Sequence, residues 1–346
     1  MTKFIYKYMP IRPEFFEEPM LRATPLSELN DPFEGTFTKK QIENICQLGK
    51  YDYDPEYIAS DISMEKELIP QGIVAFTMEY INPLMWSHYA DEHRGMVIQF
   101  RKDILFSVPE NDIDPTGLTY SSPQPVSYRR RLPKLDTKEE AIPEDGEDET
   151  PFAKFNRSVL LTKSIDWCYE QEMRSVFNLT AANKIICNHD DEIKKIICDY
   201  NQEIKRIAIG YKQLPDKNRY EIILSGLDNS EQSTETEFVV DDIFTALQEQ
   251  KDVIHLFQVN PKSIKRVYFG CKSDEEKQKE CIDKIIKNKE LNLSVYRMEK
   301  NQPGRVGKRA AQYSNLGTFL SARLPTILEI TTENILSTHF PTIFEN

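Results

Sequence analysis

The alternation of apolar and polar residues predicts several strands along the chain. Met96, Ile98 and Phe100 alternate with Val97 and Gln99, which is typical of a mostly buried strand. Shorter apolar runs predict further strands over residues 4–8, 72–77, 264–270 and 291–298, with one or two more in 118–128. We place Gly95 at the entry to strand 96–100 and expect it to end the preceding helix with a positive φ.

Apolar residues at helical spacing predict helices between these strands. The clearest are 190–207, with Ile193, Ile196 and Ile197, and 274–289, with Ile282 and Ile285 on one side. Shorter helices are predicted over 15–21, 84–92 and 152–163, the charged stretch 40–70 also looks helical, and the hydrophilic stretch 212–237 reads as a loop. Because helices and strands mix without regular βαβ alternation, we expect an α+β fold, a mixed and largely antiparallel sheet with flanking helices.

Breaks in composition predict the division of the chain. Pro303 and Gly304 mark a boundary between a main domain, residues 1–300, and a C-terminal tail, residues 301–346. A strongly acidic stretch around 134–150 predicts a mobile insertion within the main domain.

Charge and cysteine content narrow the class of protein. The formal net charge of −12 argues against a diffuse basic surface for nucleic acid, and the run Arg129, Arg130, Arg131 reads as a solvated loop. The N-terminus is too polar for a signal peptide and no apolar stretch is long enough to span a bilayer, so we expect a cytoplasmic protein without membrane contact. The six cysteines show no CxxC pair, and we expect no bound metal.

The stretch from Trp167 to Arg174 holds the first candidate site. On a strand, Glu170, Glu172 and Arg174 would share one face, where a carboxylate can stabilise developing positive charge or bind a ribose hydroxyl. An ion-pair ladder on an edge strand, or a helix with Glu170 paired to Arg174, explains the same spacing and stays open.

A second candidate lies in the predicted helix 84–92. Ser87 and His88, with Asp91 nearby, suggest a hydrolase, but neighbouring residues on a helix point about 100° apart and no nucleophile elbow is present. A metal site using His88 with Asp91 or Glu92 has better spacing, and a structural histidine is the simplest interpretation.

Two shorter motifs add candidate binding residues. The turn Asn30–Asp31–Pro32 either docks Phe33 into the core or presents Asn30 and Asp31 to a pocket. In Tyr6–Lys7–Tyr8, Lys7 lies opposite the two tyrosines, and with Arg22 it could supply a cation for a phosphate group, although no glycine-rich phosphate loop exists.

Taken in order, these pieces resemble a bacterial family catalogued as domain of unknown function 2971. The matching motifs are Tyr6–Lys7–Tyr8, Asn30 to Glu34, Met85 to Gly95, Trp167 to Arg174 and Val267 to Gly270. The resemblance spans roughly residues 4–298 and leaves the tail outside it.

More distantly, the layout is similar to that of ADP-ribosyltransferases. This resemblance implies an ADP-ribosyltransferase-like fold and NAD as substrate, with Glu172 as the catalytic glutamate, Glu170 as its auxiliary and Tyr89 beside them. Stacking of nicotinamide on Tyr89 or Trp86 would follow, and the binding set would comprise Tyr6, Lys7, Tyr8, Arg22, Asn30, Asp31, Thr77, Trp86, Ser87, His88 and Arg174. The first strand departs from the pattern, because it offers Lys7 where a His or Arg is usual.

Three functions therefore stay open. The first is an NAD-dependent ADP-ribosyltransferase, a toxin or phage-defence effector that binds a nucleotide and modifies a protein or nucleic-acid target. The second is a non-catalytic sensor or ligand-binding module that forms a homo-oligomer or partners another defence protein. The third is a metal-dependent nuclease using Glu170, Glu172 and His88.

Overall fold

The computed structural model describes residues 3–31, 34, 70–106, 119–131, 157–203, 209–215, 218–224, 234–248, 250–298 and 310–313. Its strands are β1 (Phe4–Met9), β2 (Met20–Pro25), β3 (Gln71–Thr77), β4 (Met96–Arg101), β5 (Tyr120–Pro125), β6 (Ser127–Arg129), β7 (Thr162–Ser164), β8 (Glu172–Asn178), β9 (Lys184–Asn188), β10 (Gly210–Gln213), β11 (Arg219–Ile223), β12 (Ile254–Gln258), β13 (Ile264–Phe269), β14 (Ser294–Met298) and β15 (Ala310–Tyr313). The α-helices are α1 (Pro83–Tyr89), α2 (Asp191–Glu203), α3 (Thr234–Leu247) and α4 (Glu275–Lys287). Short 3₁₀ helices lie at Pro13–Phe16, Leu26–Glu28, Lys102–Ile104, Ile165–Glu170, Leu179–Ala181 and Pro261–Ser263.

One large mixed sheet organises the described residues. Its strand order is β10-β11-β9-β12-β2-β3-β1-β4-β13-β14-β15, and β8 pairs with β3 and carries β5 at its other edge. Every pairing in this sheet is antiparallel except that of β13 with β14. Strands β6 and β7 form a separate parallel pair. The α+β fold with a largely antiparallel sheet is therefore confirmed.

The two faces of the sheet differ in chemistry because side chains alternate along a strand. One face contributes Ile5, Phe76 and Ile98 to the main hydrophobic core, together with residues of α2, α3 and α4. The other face carries polar residues in register, since Tyr6 pairs with Thr77 and Thr77 pairs with Glu172. The candidate site is built on this second face.

Several predicted elements are confirmed. The predicted strands at 4–8, 72–77, 96–100, 118–128, 264–270 and 291–298 correspond to β1, β3, β4, β5 with β6, β13 and β14. Helices α2 and α4 match the stretches with helical spacing, and Asp274 caps α4 by accepting hydrogen bonds from the backbone N–H groups of Glu276 and Lys277.

Two predicted elements near the N-terminus and in the middle of the chain are wrong. Residues 15–21 hold the end of a 3₁₀ helix and the start of β2, because the sequence from Met20 alternates buried and half-exposed positions with period two. The predicted loop 212–237 contains β11 and the start of α3. The polar strands β10 and β11 lie at an end of the sheet, where little apolar surface is needed.

Other predictions fall partly or wholly outside the described residues. The predicted helix 152–163 is described from residue 157 and is helical to 160, after which β7 begins. Residues 40–69 and the acidic insertion 134–150 lie outside the described ranges. Within the predicted tail, β15 pairs antiparallel with β14, and the division into residues 1–300 and 301–346 stays a prediction.

Gly95 has a different role from the predicted one. The positive φ angles belong to the three residues Asp91, Glu92 and His93, at 46°, 50° and 71°, and not to Gly95. A Cβ atom at position 95 would lie 2.4 Å from the carbonyl oxygen of Met9, so Gly95 allows the backbone after α1 to approach β1 closely.

Candidate functional site

Helix α1 is anchored beside the start of β8 by its capping residue. The side chain of Asn82 accepts a hydrogen bond from the backbone N–H of Leu84 at 2.9 Å. The same side chain donates to the carbonyl oxygen of Tyr169 at 2.7 Å. Asn82 therefore joins the helix that carries Tyr89 to the 3₁₀ helix that carries Glu170.

The backbone at Glu170 and Glu172 differs from the predicted strand. Glu170 ends the 3₁₀ helix, Gln171 adopts a left-handed conformation with φ 45°, and β8 begins only at Glu172. The predicted strand over all three charged residues is thus wrong, as is the alternative helix with a Glu170–Arg174 pair. Both carboxylates nevertheless reach one place, because the left-handed residue turns the chain between them.

Lys163 is the centre of a buried group of charges. Its Nζ lies 2.7 Å from Glu170 Oε2, 3.0 Å from Glu172 Oε2 and 3.3 Å from Glu34 Oε1. Arg174 completes the group, and all five side chains are at most 7% exposed. We call Glu34, Lys163, Glu170, Glu172 and Arg174 the ion-pair cluster.

Arg174 binds three partners in the cluster and its surroundings. Its Nε donates to Glu172 Oε1 at 2.7 Å and its Nη2 to Glu172 Oε2 at 3.1 Å. The Nη2 also donates to Glu34, and the Nη1 donates to the carbonyl oxygen of Leu160 at 2.7 Å. The planar guanidinium suits this arrangement because it offers donors in several fixed directions.

Tyr89 and Thr77 hold Glu170 from the sheet and from α1. The Tyr89 hydroxyl donates to Glu170 Oε1 and also hydrogen-bonds the side chain of Asn30. The Thr77 hydroxyl donates to the carbonyl oxygen of Glu170 at 2.6 Å. Tyr128 adds a contact on the other side, where its hydroxyl accepts the backbone N–H of Glu172 at 2.7 Å.

Burial and neighbouring positive charges shift the pKa values of the acids in the cluster in opposite directions. Burial raises the pKa of Glu34, against the lowering effect of Arg174 and Lys163. For Glu172 burial also acts upward and is the largest effect, but Arg174 and Lys163 together outweigh it and leave the pKa below its ordinary value. Glu172 is therefore an ionised carboxylate held by two cations.

The pKa values of the hydroxyls and cations around these acids are shifted as well. Burial, and then the hydrogen bond to Glu170, raise the pKa of Tyr89, and burial raises the pKa of Tyr128 to about 12. Burial acts to lower the pKa values of Lys163 and Arg174, but the surrounding carboxylates raise both above their ordinary values. Both cations stay protonated across the physiological range.

A cleft of about 260 Å³ opens beside the cluster. Its lining residues are Asp31, Glu34, Arg129, Arg130, Arg131, Thr162, Lys163 and Ser164. We call it the arginine cleft. Strands β6 and β7 build one wall, because Tyr128 pairs with Lys163 and Arg129 with Ser164 in their parallel ladder. Lys163 belongs to the ion-pair cluster and Tyr128 contacts it, whereas the side chain of Arg129 is exposed.

The structure brings the three predicted catalytic residues, Glu170, Glu172 and Tyr89, together at the cluster. Of the predicted binding residues, Arg174 and Thr77 meet them there, Asn30 reaches the cluster through Tyr89, and Asp31 lines the arginine cleft. Tyr6 lies in register with Thr77, and its hydroxyl accepts a hydrogen bond from Gln99 at 2.9 Å.

Other predicted binding residues have different surroundings. Lys7 points away from the tyrosines, donates to the carbonyl oxygen of Ala75 at 2.7 Å and lies 5.9 Å from the Phe76 ring centre. Arg22 forms an ion pair with Glu28. These two cations therefore have protein partners, and neither lines the cleft.

The remaining predicted residues belong to α1 and its packing. Trp86 is 1% exposed, lies edge-on to Tyr8 and donates its Nε1–H to the carbonyl oxygen of Tyr80 at 2.8 Å. This burial places Trp86 and Tyr8 in a small hydrophobic cluster. Ser87 and His88 are exposed on α1. Among the described residues, no group of three or more His, Cys, Asp or Glu side chains has an arrangement that could hold a metal ion.

Sequence reasoning missed Lys163, Tyr128 and Glu34 as site residues. Glu34 was visible as the last residue of the turn motif at residues 30–34, but Lys163 and Tyr128 carry no motif signal. The arginine run was visible too, and its interpretation as a solvated loop is wrong in part. Arg129 lies on β6, and all three arginines line the cleft although they are exposed.

Within the described ranges, no helix has both the length and the apolar composition needed to cross a membrane. No curated protein matches the chain, and no solved structure matches it either. A family model described as "Protein of unknown function (DUF2971)" matches residues 85–175. This range is narrower than the predicted 4–298, and it contains Tyr89, the three cleft arginines and four of the five cluster residues. Residues 85–175 thus match the model of the family that the sequence motifs resemble.

Proposed function

We propose that the protein binds a small phosphate-bearing ligand in the arginine cleft. The observation that carries this proposal is the convergence of Arg129, Arg130, Arg131 and Lys163 on one cleft of a chain whose net charge is −12. Arginine is well suited to phosphate because its planar fork can donate two parallel hydrogen bonds to two oxygens. A cleft lined by cations also concentrates the electric field and attracts anions from solution.

The other lining groups support a ligand that carries hydroxyls as well as phosphate. Thr162 and Ser164 bring hydroxyl groups to the lining, and Asp31 brings a carboxylate, which accepts hydrogen bonds from alcohols. The volume of about 260 Å³ lies just below the usual range for ligand pockets, roughly 300–1,000 Å³. It suits a mononucleotide or smaller ligand better than a dinucleotide.

The ion-pair cluster serves this site as a rigid floor. Lys163 belongs to both structures, since its Nζ contacts three carboxylates while its side chain lines the cleft. A buried network in which every charge has a partner holds its members in one geometry. The cluster therefore fixes Lys163 and, through the β6–β7 ladder, the position of Arg129.

ADP-ribosyl transfer from NAD is the second candidate, because Glu170, Glu172 and Tyr89 meet at one place. We rank it second because both carboxylate oxygens of Glu172 already accept hydrogen bonds from Arg174 and Lys163. No contact of the described residues favours nuclease activity. Cytoplasmic location, a role in defence and an oligomeric or protein partner stay predictions.

Thermal unfolding with pyrophosphate tests the proposal. Binding to the folded state raises Tm, and the rise grows with the logarithm of ligand concentration. We expect this rise in the wild type and its loss in the triple variant Arg129→Gln, Arg130→Gln, Arg131→Gln. The control is Lys194→Gln with Lys195→Gln, two exposed cations on α2, which should behave like the wild type. An equal rise in the triple variant, or none in the wild type, contradicts the proposal.

A nicotinamide-release assay separates the two candidates. A ligand-binding module leaves NAD intact with or without cell extract. Release of nicotinamide by the wild type, lost in Tyr89→Phe, would place ADP-ribosyl transfer first instead.

A further inference from the structure

Trp167 lies beside the arginine cleft, on the 3₁₀ helix Ile165–Glu170. The Nζ of Lys163, a residue that lines the cleft, is 4.9 Å from the centre of the indole ring. Ser164, which also lines the cleft, directly precedes this helix and caps it by accepting the backbone N–H of Asp166. Trp167 is thus in contact with Lys163, a residue of the cleft wall.

The two tryptophans of the chain have different surroundings. Trp86 is 1% exposed and its indole N–H is bonded to a backbone carbonyl, which explains it as a core residue. Trp167 is only half-buried, and its neighbour Ile165 is 37% exposed. A large aromatic ring that keeps contact with water next to a cationic cleft is suited to an aromatic ligand group.

The contact with Tyr169 leaves the indole suited to stacking. The centres of the two rings are 6.1 Å apart and the planes are tilted by 36°, so this pair is not a parallel stack. The contact with Lys163 is a cation–π interaction that occupies one face of the indole, so a stacked base would use the opposite face. A base attached to a phosphate in the cleft would bring both types of group to this one place.

We propose that the ligand of the arginine cleft is a nucleoside phosphate whose base stacks on Trp167 while Arg129, Arg130 and Arg131 bind its phosphates. This inference rests on the proposed function and names the class of its ligand. Stacking on an aromatic side chain is tolerant of base identity, because every base has a π-face. The site therefore distinguishes nucleotides from inorganic phosphates more strongly than one base from another.

Calorimetric titration with ADP and with pyrophosphate tests this assignment. Both probes carry two linked phosphates, but only ADP carries a base. In the wild type we expect ADP to bind about fivefold to 150-fold more tightly than pyrophosphate, the range typical of one base stacked on one aromatic ring. In Trp167→Leu this preference should disappear while the affinity for pyrophosphate stays unchanged.

Two further variants make the result specific. Trp167→Phe keeps an aromatic ring and should retain much of the preference for ADP, so it tests the ring even if Trp167→Leu folds poorly. Phe238→Leu removes a 65% exposed aromatic side chain on α3, which does not line the cleft, and should match the wild type.

The outcomes separate the two proposals. If pyrophosphate binds but ADP binds no more tightly, or if the preference survives Trp167→Leu, the assignment of the base to Trp167 is overturned and the phosphate site stands. If neither probe binds the wild type, the proposed function itself fails.

Discussion

Arg174 holds Glu172 through two hydrogen bonds, with Nε 2.7 Å from Oε1 and Nη2 3.1 Å from Oε2. Arg174 is 1% exposed and Glu172 is 6% exposed at the side chain, so water contributes little to either charge. A buried carboxylate that loses its partner keeps the cost of burial without the compensating attraction. The pair therefore matters more for the stability of the site than any ion pair at the surface.

Replacement of Arg174 by Met should lower the free energy of unfolding by about 3–5 kcal/mol, because Glu172 and Glu34 both lose a charged partner. Arg174→Lys should recover little of this loss, since an ammonium group cannot donate to Glu172, Glu34 and Leu160 from fixed directions. Urea unfolding measures the free energy of unfolding of both variants. Arg297→Gln, which breaks the exposed pair with Glu275, is the control and should cause little change. A similar small change in Arg174→Met would contradict this account of the cluster.

Lowering the pH should reveal how much ionised Glu172 contributes to the free energy of unfolding. Its folded-state pKa is depressed, so the unfolded chain takes up the proton first as the pH falls. The contribution is complete above the ordinary glutamate pKa of 4.5 and is lost as the pH falls through the lower folded value. The stability difference between the wild type and Glu172→Gln should therefore shrink below about pH 4.5.

Unfolding by urea at a series of pH values measures this difference. The difference for Glu275→Gln, at a partly exposed position, should stay small at every pH. Glu34 acts with the opposite sign, because its raised folded-state pKa makes folding favour its protonated form. Because Glu172 itself contributes to the raised pKa of Glu34, the same comparison made in a Glu34→Gln background removes this term. A difference that stays constant from neutral to acid pH would show that Glu172 has an ordinary pKa.

The predictable part of the fold is the part governed by local periodicity. β4 and α4 follow from spacing of two and of three to four residues, because Met96, Ile98 and Phe100 of β4 and Cys281 and Ile285 of α4 pack into the main core. β2 was missed because Phe16 and Met20 are four residues apart, a spacing that also fits a short helix, and only the buried positions of Leu21 and Ala23 show a period of two.

The site was predictable only where its residues are close in sequence. Glu170, Glu172 and Arg174 stand out as a dense group of charges. Glu34 is separated from Arg174 by 140 residues, and the β6–β7 pairing that places Lys163 is a parallel contact between distant segments. No local pattern reports such pairings, so the neutralisation of Glu172 by Lys163 could not be seen in the sequence.

Lys7 should make stability depend on alkaline pH. Burial lowers its pKa from the ordinary 10.5 to about 8, so between these values the unfolded chain binds more protons than the folded protein. The contribution of Lys7 to the free energy of unfolding therefore rises as the pH increases from about 8 to 10.5. Lys7→Met should remove this rise, and Lys212→Met, at an exposed position on β10, should retain it. Thermal unfolding from neutral pH to pH 10.5 measures the effect, and an identical profile in Lys7→Met would contradict it.

Gly95→Ala should destabilise the protein by about 1–3 kcal/mol, the usual cost of excess volume in a packed region. The new Cβ would lie 2.4 Å from the carbonyl oxygen of Met9 and 2.7 Å from the carbonyl carbon of Ala90, and both are backbone atoms that cannot rotate away. Gly210→Ala is the matched control, because its nearest atoms at 3.1 Å belong to the side chain of Ile223. Equal effects of the two substitutions in urea unfolding would contradict the close approach at Gly95.

Calorimetric titration of pyrophosphate at low and high salt tests whether the arginine cleft is a phosphate site. If exposed arginines bind the phosphate groups, binding should be saturable. It should also weaken as the salt concentration increases, because salt screens charges at the protein surface. We expect such binding in the wild type and none in the protein that carries Arg129→Gln, Arg130→Gln and Arg131→Gln. Equal binding by the two proteins, or no binding by the wild type at low salt, would contradict it.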